Sequence, residues 1–330
     1  MPEHSGILIV AEASEGALAG ISAELLGVGR QLAEAGAGRL AALLIGSGVE
    51  PLARELGQLG AEQVYLAADD ALAVYEGEAY LEIAERAVHQ VGPEIVLLGQ
   101  TLSGRDVATR LAFRLETGLS TDCIGLRLED GLLIMTKPVY GGSALAEYVC
   151  PDARPQIATI RPRAFPAAQP VAGREAPISQ LDTSGLNSRV TVLDSAREVA
   201  TSGPRLKDAK VVVSGGRGLG GPENWHVVEE LAEPLGAAVG ATRAVTDAGW
   251  VPPSLQVGLT GVTISPDLYV TVAVSGAVQH IAGCSGARNV VAINRDPDAN
   301  IFKHARYGVV GDWKQVLPAF TAKVKELRGS

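Results

Sequence analysis

Short apolar runs alternate along the chain with segments in which apolar residues recur every three or four positions. GILIVAE from Gly6, RLAALLIG from Arg39, QVYLA from Gln63 and EIVLLG from Glu94 each predict a short strand buried on both faces. Between them, Ile21, Leu25, Val28 and Leu32 fall on one helical stripe, Leu81, Ala84, Val88 and Val91 on a second, and Val107, Leu111 and Leu115 on a third. That alternation predicts a βαβ series and a mostly parallel sheet. From Asp122 to about Ile160 the helical stripes disappear. The strand-like pieces CIGLRLEDGLLIMTKPVYGG, ALAEYVC and PQIATI follow one another, with a hairpin signal at Asp130-Gly131, and are expected to pair antiparallel and complete a first domain.

Pro162, Pro166, Pro170 and Pro177 then punctuate a polar, weakly periodic stretch. Residues 164–205 are expected to form a linker or wrapping segment, with one short strand at residues 189–193. Strand patterns resume at residues 209–214, 237–241, 268–274, 289–293 and 307–310. A helix is expected from Pro222, and a final one carries Trp313, Val316, Leu317, Phe320 and Val324 on one face. The fold class is therefore α/β with two domains: residues 1–163 with a mostly parallel sheet, and residues 206–330 as a doubly wound unit.

Composition sharpens this picture. Hydrophobic residues make up 47% of the chain and aromatics only 4%, with 39 glycines, so the core must be built from Ala, Val, Leu and Ile around tight turns. A formal charge of -9 argues against nucleic-acid binding and against adsorption to anionic membranes. Cys123, Cys150 and Cys284 do not make a disulfide framework, and the opening MPEHSGILIVAEAS has no basic signal-peptide region, so a cytoplasmic, reducing location is expected. Residues 268–287 carry no formal charge, but their Ser, Gln, His and Gly content fits a buried strand and helix start better than a membrane span.

The candidate chemistry lies in the turns of the second domain. KVVVSGGRGLGG from Lys210 places Gly216, Gly218 and Gly221 at the spacing G-x-G-x-x-G after a strand. A dinucleotide fold that binds NAD closes its second strand with an acidic residue for the ribose; here AAVGAT runs into Arg243, and no acid follows until Asp247. Other turns share the character: Thr242-Arg243, the loop QVGLTG from Gln256, VSGAVQH from Val274, Asn294 after its strand, and Asp312 before the last helix. All are expected at the carboxyl ends of parallel strands, where ligands of open α/β sheets bind. Ser275, Gly276 and the amides after them would receive a phosphate-sized anion, with Arg217 and Arg243 as cations. A dinucleotide is indicated without its identity. His280 and Cys284 are one helical turn apart but are too few ligands for a metal, and Ser275 with His280 lacks a nucleophile elbow or an acid partner. No metal ligand and no catalytic residue is assigned.

LYVTVAVSGAVQHIAG and VVAIN, with VVVSGGRGL before them and DPDANIFKHARYGVVGD after, resemble the electron-transfer flavoprotein alpha subunits. The resemblance runs almost continuously from Val211 to about Leu317, through AAVGATRAVTDAGWVP and QVGLTG. It is looser in the first half, through EIVLLGQTLSGRDVATRLA and KPVYGG. It implies FAD held in an extended form. Arg243 would serve the isoalloxazine, Thr260 the flavin N5 and His280 the C2 carbonyl. Gln256, Val257, Gly258 and Leu259 would complete the loop beside them. Arg217, Thr242, Ser275, Gly276, Ala277, Val278 and Gln279 would surround the ribityl–pyrophosphate region, with Asn294 and Asp312 toward the adenosine. Leu259, Cys284 and Arg306 depart from the family's usual glutamine, methionine and aspartate. The resemblance further implies a heterodimer with an electron-transfer flavoprotein beta subunit, donors of the acyl-CoA dehydrogenase type as in fatty acid beta-oxidation, and a quinone-linked oxidoreductase as acceptor. Such a chain is an electron carrier rather than an enzyme with its own substrate. The alternatives are a bifurcating form with a second FAD in the beta subunit, and a dinucleotide-binding module without redox turnover.

Overall fold

The computed structural model describes residues 4–142, 144–186, 188–194 and 204–328. Two compact units divide the chain: residues 1–139 with 145–196, and residues 140–144 with 197–330.

The first unit opens with β1 (Ile7–Ala11), a two-residue hairpin β2 (Ala13–Ser14) and β3 (Ala17–Leu18), and α1 (Gly20–Leu32). It continues through β4 (Leu40–Gly46), α2 (Glu50–Gln58), β5 (Gln63–Ala68), α3 (Gly77–Val91), β6 (Ile95–Gly99), α4 (Leu102–Arg114) and β7 (Leu119–Cys123). β8 (Gly125–Glu129), β9 (Leu132–Val139) and β10 (Ala144–Tyr148) make a small separate sheet, and β11 (Gln156–Ile160) and β12 (Ile178–Gln180) return to the main one. The main sheet has the order β12-β5-β4-β1-β6-β11-β7, with every neighbouring pair parallel. Side-chain alternation in β1 divides the core. Ile7 and Ile9 pack with Leu25 and Val28 of α1 and Leu52 of α2, whereas Leu8 and Val10 pack with Leu81 and Val88 of α3 and Leu111 of α4.

Two expectations for this region are corrected. PQIATI does not pair antiparallel: β11 lies parallel between β6 and β7, buried at all five positions. A strand without a polar face needs cover on both sides, which only the interior of the parallel sheet provides. The antiparallel register is that of β8 with β9, as the Asp130-Gly131 turn requires. The short strand of the wrapping segment is β12, which takes the open edge of β5, rather than residues 189–193. Those residues are exposed, and Arg189 is held instead by Glu78 of α3, its backbone N–H donating at 2.8 Å.

The second unit contains β13 (Val211–Gly215), α5 (His226–Leu235), β14 (Ala238–Ala241), α6 (Arg243–Thr246), β15 (Leu268–Val272), α7 (Val278–Cys284), β16 (Val290–Asn294), β17 (Tyr307–Val310) and α8 (Trp313–Arg328). Its sheet has the order β14-β13-β15-β16-β17, all parallel. Val228 and Leu231 of α5 and Leu317 of α8 cover one face with Trp225, while Ile281 and Cys284 of α7 pack on the other with Tyr269. This is the doubly wound arrangement. Among the described residues no helix is long and apolar enough to cross a membrane.

Candidate functional site at the carboxyl edge of the second sheet

The chain leaves β13 for β14 on one side and later returns to β15 on the other, so the strand order reverses between β13 and β15. The turns leaving these two strands cross closely. A Cβ on Gly216 would lie 2.1 Å from the carbonyl oxygen of Ala273, and one on Gly218 would lie 3.0 Å from the Ala273 methyl. Gly216 has an ordinary backbone, with φ −106°, so its glycine is required by this contact and not by a turn conformation. Ala273 itself sits at φ 56°, an uncommon region for a residue with a Cβ. Arg217 is exposed beside the crossing.

Past Ala273, the turn is tied down by its own neighbours. Asn294 Nδ2 donates to the Val274 carbonyl at 2.8 Å, Asn300 Nδ2 to that of Gly276 at 2.7 Å, and the Ile301 amide to that of Ser275 at 3.0 Å. Gly276 is required twice over, by φ +78° and because a Cβ there would lie 2.4 Å from the Ile301 nitrogen. Among the described residues, the N–H groups of Gly276, Ala277, Val278 and Gln279 have no acceptor within the chain. Successive unpaired amides around a glycine at positive φ form a concave donor set suited to an anion.

At the end of β14, Thr242 leads into α6, whose first residue, Arg243, pairs with Asp247 at 3.2 Å, both side chains being exposed. The loop QVGLTG lies against the same edge. The Val257 amide donates to the Ala241 carbonyl at 2.8 Å, and the Leu259 amide donates to the Gln279 carbonyl at 2.8 Å. α7 backs the loop at Gly283, where a Cβ would come within 2.4 Å of the Gly258 Cα. Gln256 is buried and bonded to two threonines, Thr246 and Thr260, at 3.0 Å each. Thr260, Leu259 and Gln279 are exposed.

His280 is buried, with both ring nitrogens engaged. The Val257 carbonyl can only accept, so His280 Nδ1–H donates to it across 3.0 Å; Nε2 then accepts from the Tyr269 hydroxyl at 2.8 Å. Burial lowers its pKa from the ordinary 6.5 to about 4, so the imidazole is neutral at physiological pH. The same burial pushes the Cys284 thiol up to about 12. No group of residues that could hold a metal ion occurs among the described residues.

All sixteen residues singled out in the sequence belong to this one unit. Arg217, Arg243, Leu259, Thr260, Ser275, Ala277, Val278, Gln279 and Asp312 are exposed, whereas Gln256, Val257, Gly258, Gly276 and His280 are buried; Thr242 and Asn294 are half-buried. Asp312 accepts the Lys314 amide at 3.0 Å at the start of α8. Sequence reasoning missed Ala273, Thr246, Tyr269 and Asn300. Only Ala273 had a signal, a non-glycine residue inside a strand-to-turn junction, and that signal was weak.

An electron transfer flavoprotein domain model matches residues 7–185, and a model of the electron transfer flavoprotein FAD-binding domain matches residues 205–285. The electron transfer flavoprotein subunit alpha of Thermoanaerobacterium thermosaccharolyticum is 42% identical over 331 residues, covering 99% of this chain and all of that protein. The subunit alpha of Megasphaera elsdenii is 40% identical over 335 residues, covering the whole chain and 99% of that protein. The chain belongs to the electron transfer flavoprotein alpha-subunit family. A further relative, Protein FixB of Azorhizobium caulinodans, is 40% identical over 336 residues, with 97% of this chain and 90% of that protein covered. The FAD-binding-domain match spans the crossing turns, QVGLTG and all of α7, and ends before Asn294 and Asp312.

Proposed function

We propose that this flavoprotein alpha subunit carries FAD along the carboxyl edge of its second sheet and passes electrons between protein partners. The observation that carries the reading is the crossing of the β13 and β15 turns. It leaves four neighbouring amides without acceptors beside an exposed arginine, at the point where the strand order reverses. A dinucleotide diphosphate needs such donors, and the glycines at 216, 218 and 276 leave no room for side chains there. Bound FAD would supply the one- and two-electron chemistry; the chain's part is to hold it, shape its surroundings and set its electronics.

In this reading Arg217, Thr242 and Ser275 to Gln279 serve the ribityl–pyrophosphate region, and Asn294 and Asp312 the adenosine end. Arg243 serves the ring system, its charge moderated by Asp247. Thr260 meets N5 with its hydroxyl. Gln256 and His280 act from beneath, because their polar atoms are bonded inside the chain; a neutral His280 fixes the Val257 carbonyl and so the course of QVGLTG. A beta subunit completes a heterodimer, acyl-CoA dehydrogenase-type flavoenzymes donate electrons, and a quinone-linked oxidoreductase accepts them. The family of the chain and the subunit names of its relatives support the beta-subunit partner.

The test is co-expression with a beta subunit, followed by flavin analysis of the purified complex. One FAD bound per alpha subunit, bleached by a reduced acyl-CoA dehydrogenase and recovered on adding a quinone-linked acceptor, is the expected result. A stable complex without flavin would overturn the reading.

A further inference from the structure

The hydrogen-bond chain behind Thr260 can run in either direction. Thr246 and Gln256 are buried, at 8% and 9% exposure, and Thr260 is exposed. Thr246 Oγ1 donates to Gln256 Oε1 at 3.0 Å, and Gln256 Nε2 donates to Thr260 Oγ1 at 3.0 Å. In this sense the Thr260 oxygen already receives a proton from inside, so its own O–H is available outward as a donor.

A half-turn of the Gln256 amide exchanges its oxygen and nitrogen with almost no change of shape. Nε2 then donates to Thr246, and Oε1 accepts from Thr260, whose oxygen is left facing outward as an acceptor. Such a reversal would ordinarily strand the Thr246 proton in a buried site, at a cost that would forbid it. Here the carbonyl of Arg243 lies 3.0 Å from Thr246 Oγ1 and takes that proton. The same carbonyl accepts the Asp247 amide at 2.8 Å, which its two lone pairs allow. Each of the four side-chain atoms of the chain therefore keeps a hydrogen-bond partner in both senses, and the senses differ in what Thr260 offers to the outside.

We propose that Thr246–Gln256–Thr260 is a reversible relay, with Thr246 and Gln256 as positioning residues, that lets Thr260 present a donor to an unprotonated flavin nitrogen and an acceptor to the same nitrogen when it carries a proton. The inference rests on the FAD reading above. A fixed donor would suit one of these states and oppose the other. A reversible one holds both and keeps their relative affinity from being skewed by this contact.

The experiment uses the flavin-loaded heterodimer with isotopically labelled Gln and Thr. In the oxidised complex the Gln256 amide protons should show NMR contacts to the Thr260 methyl, and in the dithionite-reduced complex to the Thr246 methyl. Thr246→Val removes the inner end of the relay. It should alter the ratio of affinities for the two oxidation states about tenfold, read as a change of about 30 mV in the two-electron potential, and Thr246→Ser should restore it. If the amide protons face the same threonine in both states, or the potential of Thr246→Val is unchanged, the relay is wrong while the FAD reading stands. A complex that purifies without flavin overturns both.

Discussion

Both units build a parallel sheet whose strand order reverses once, yet at that carboxyl edge one is closed by its own side chains and the other is open. In the first unit the strand order reverses between β1 and β6. There the Glu12 carboxylate accepts from the Thr101 hydroxyl at 2.7 Å, and Thr101 caps α4 by accepting the Gly104 amide at 2.9 Å. Ser22 brackets the Glu12 backbone, donating to its carbonyl and accepting from its amide at 2.8 Å each. Farther along the edge, Thr159 donates to Gln100, and Arg161 pairs with Asp122 through two hydrogen bonds of 2.8 and 2.6 Å. A carboxylate thus sits beside the first turn of α4, where a bound anion would sit in a nucleotide-binding unit. In the second unit the corresponding turns carry glycines, unpaired amides and an exposed arginine. Binding capacity is a property of what fills the edge, not of the fold.

The largest break of this contrast comes from filling the open edge. Gly216→Val would drive a side chain into the Ala273 carbonyl, a backbone atom that has little room to yield. Loss of flavin from the purified complex is expected, with the second unit destabilised by about 1–3 kcal/mol or more. Glu12→Ala in the first unit should cost a comparable ~1–3 kcal/mol of that unit's stability but leave flavin content unchanged. Flavin retained in the valine variant would remove the crossing from the site.

Next in size is an opposite response to pH. His280 is neutral in the folded protein, with its pKa lowered to about 4, whereas an unfolded histidine takes up its proton near 6.5. Its contribution is fully present above about pH 6.5 and is lost as pH falls toward 4, on the order of 3 kcal/mol. Glu24 of α1 behaves in reverse: burial raises its pKa to about 7 even though its Oε2 accepts the Arg163 amide at 2.7 Å. Its contribution is present below about pH 4.5 and fades as pH rises to 7. Hydrogen exchange followed unit by unit between pH 4.5 and 7 should show the second unit gaining protection and the first losing some. Glu24→Gln should flatten the latter trend. Parallel trends in both units would refute the contrast.

Arg217→Ala should weaken FAD retention by about 1.5–3 kcal/mol, the range for hydrogen bonds to charged groups, while the flavin potential moves little. Equilibrium dialysis of FAD, alongside a redox titration, separates the two quantities. The smallest effect is expected at Asp247. Asp247→Asn releases Arg243 from its exposed counter-charge and should raise the potential by only ~10–40 mV, since exposed ion pairs are weak. A fall in potential would mean that Arg243 does not act on the ring system.

Much of this was legible from residue order. The four N-terminal strands, the stripes of α1, α3 and α4, and the alternation in the second half followed from local periodicity. The turns after β13, β14, β15 and β16 could be found for the same reason, because a turn that follows a buried strand is a local feature. The errors were of one kind. PQIATI reads identically whether it lies at the centre of a parallel sheet or in an antiparallel one, and residues 178–180 have no strand signal until the open edge of β5 offers them partners. The G-x-G-x-x-G spacing was found, but its cause was not: its first two glycines answer to Ala273, far along the chain.

The sequence by itself determined the fold class and the alternation of strands and helices in both units, because these are written in spacings of a few residues, while the family was legible as a resemblance along whole motifs. Only the tertiary structure decided which polar groups in those turns face outward. Gln256, His280 and Asn294 turn inward to Thr246, the Val257 carbonyl and the Val274 carbonyl, and Glu12 reaches Thr101 across 89 positions to close the edge of the first unit. Such pairings depend on which strands lie side by side, and residues brought together by sheet order leave no periodic trace along the chain.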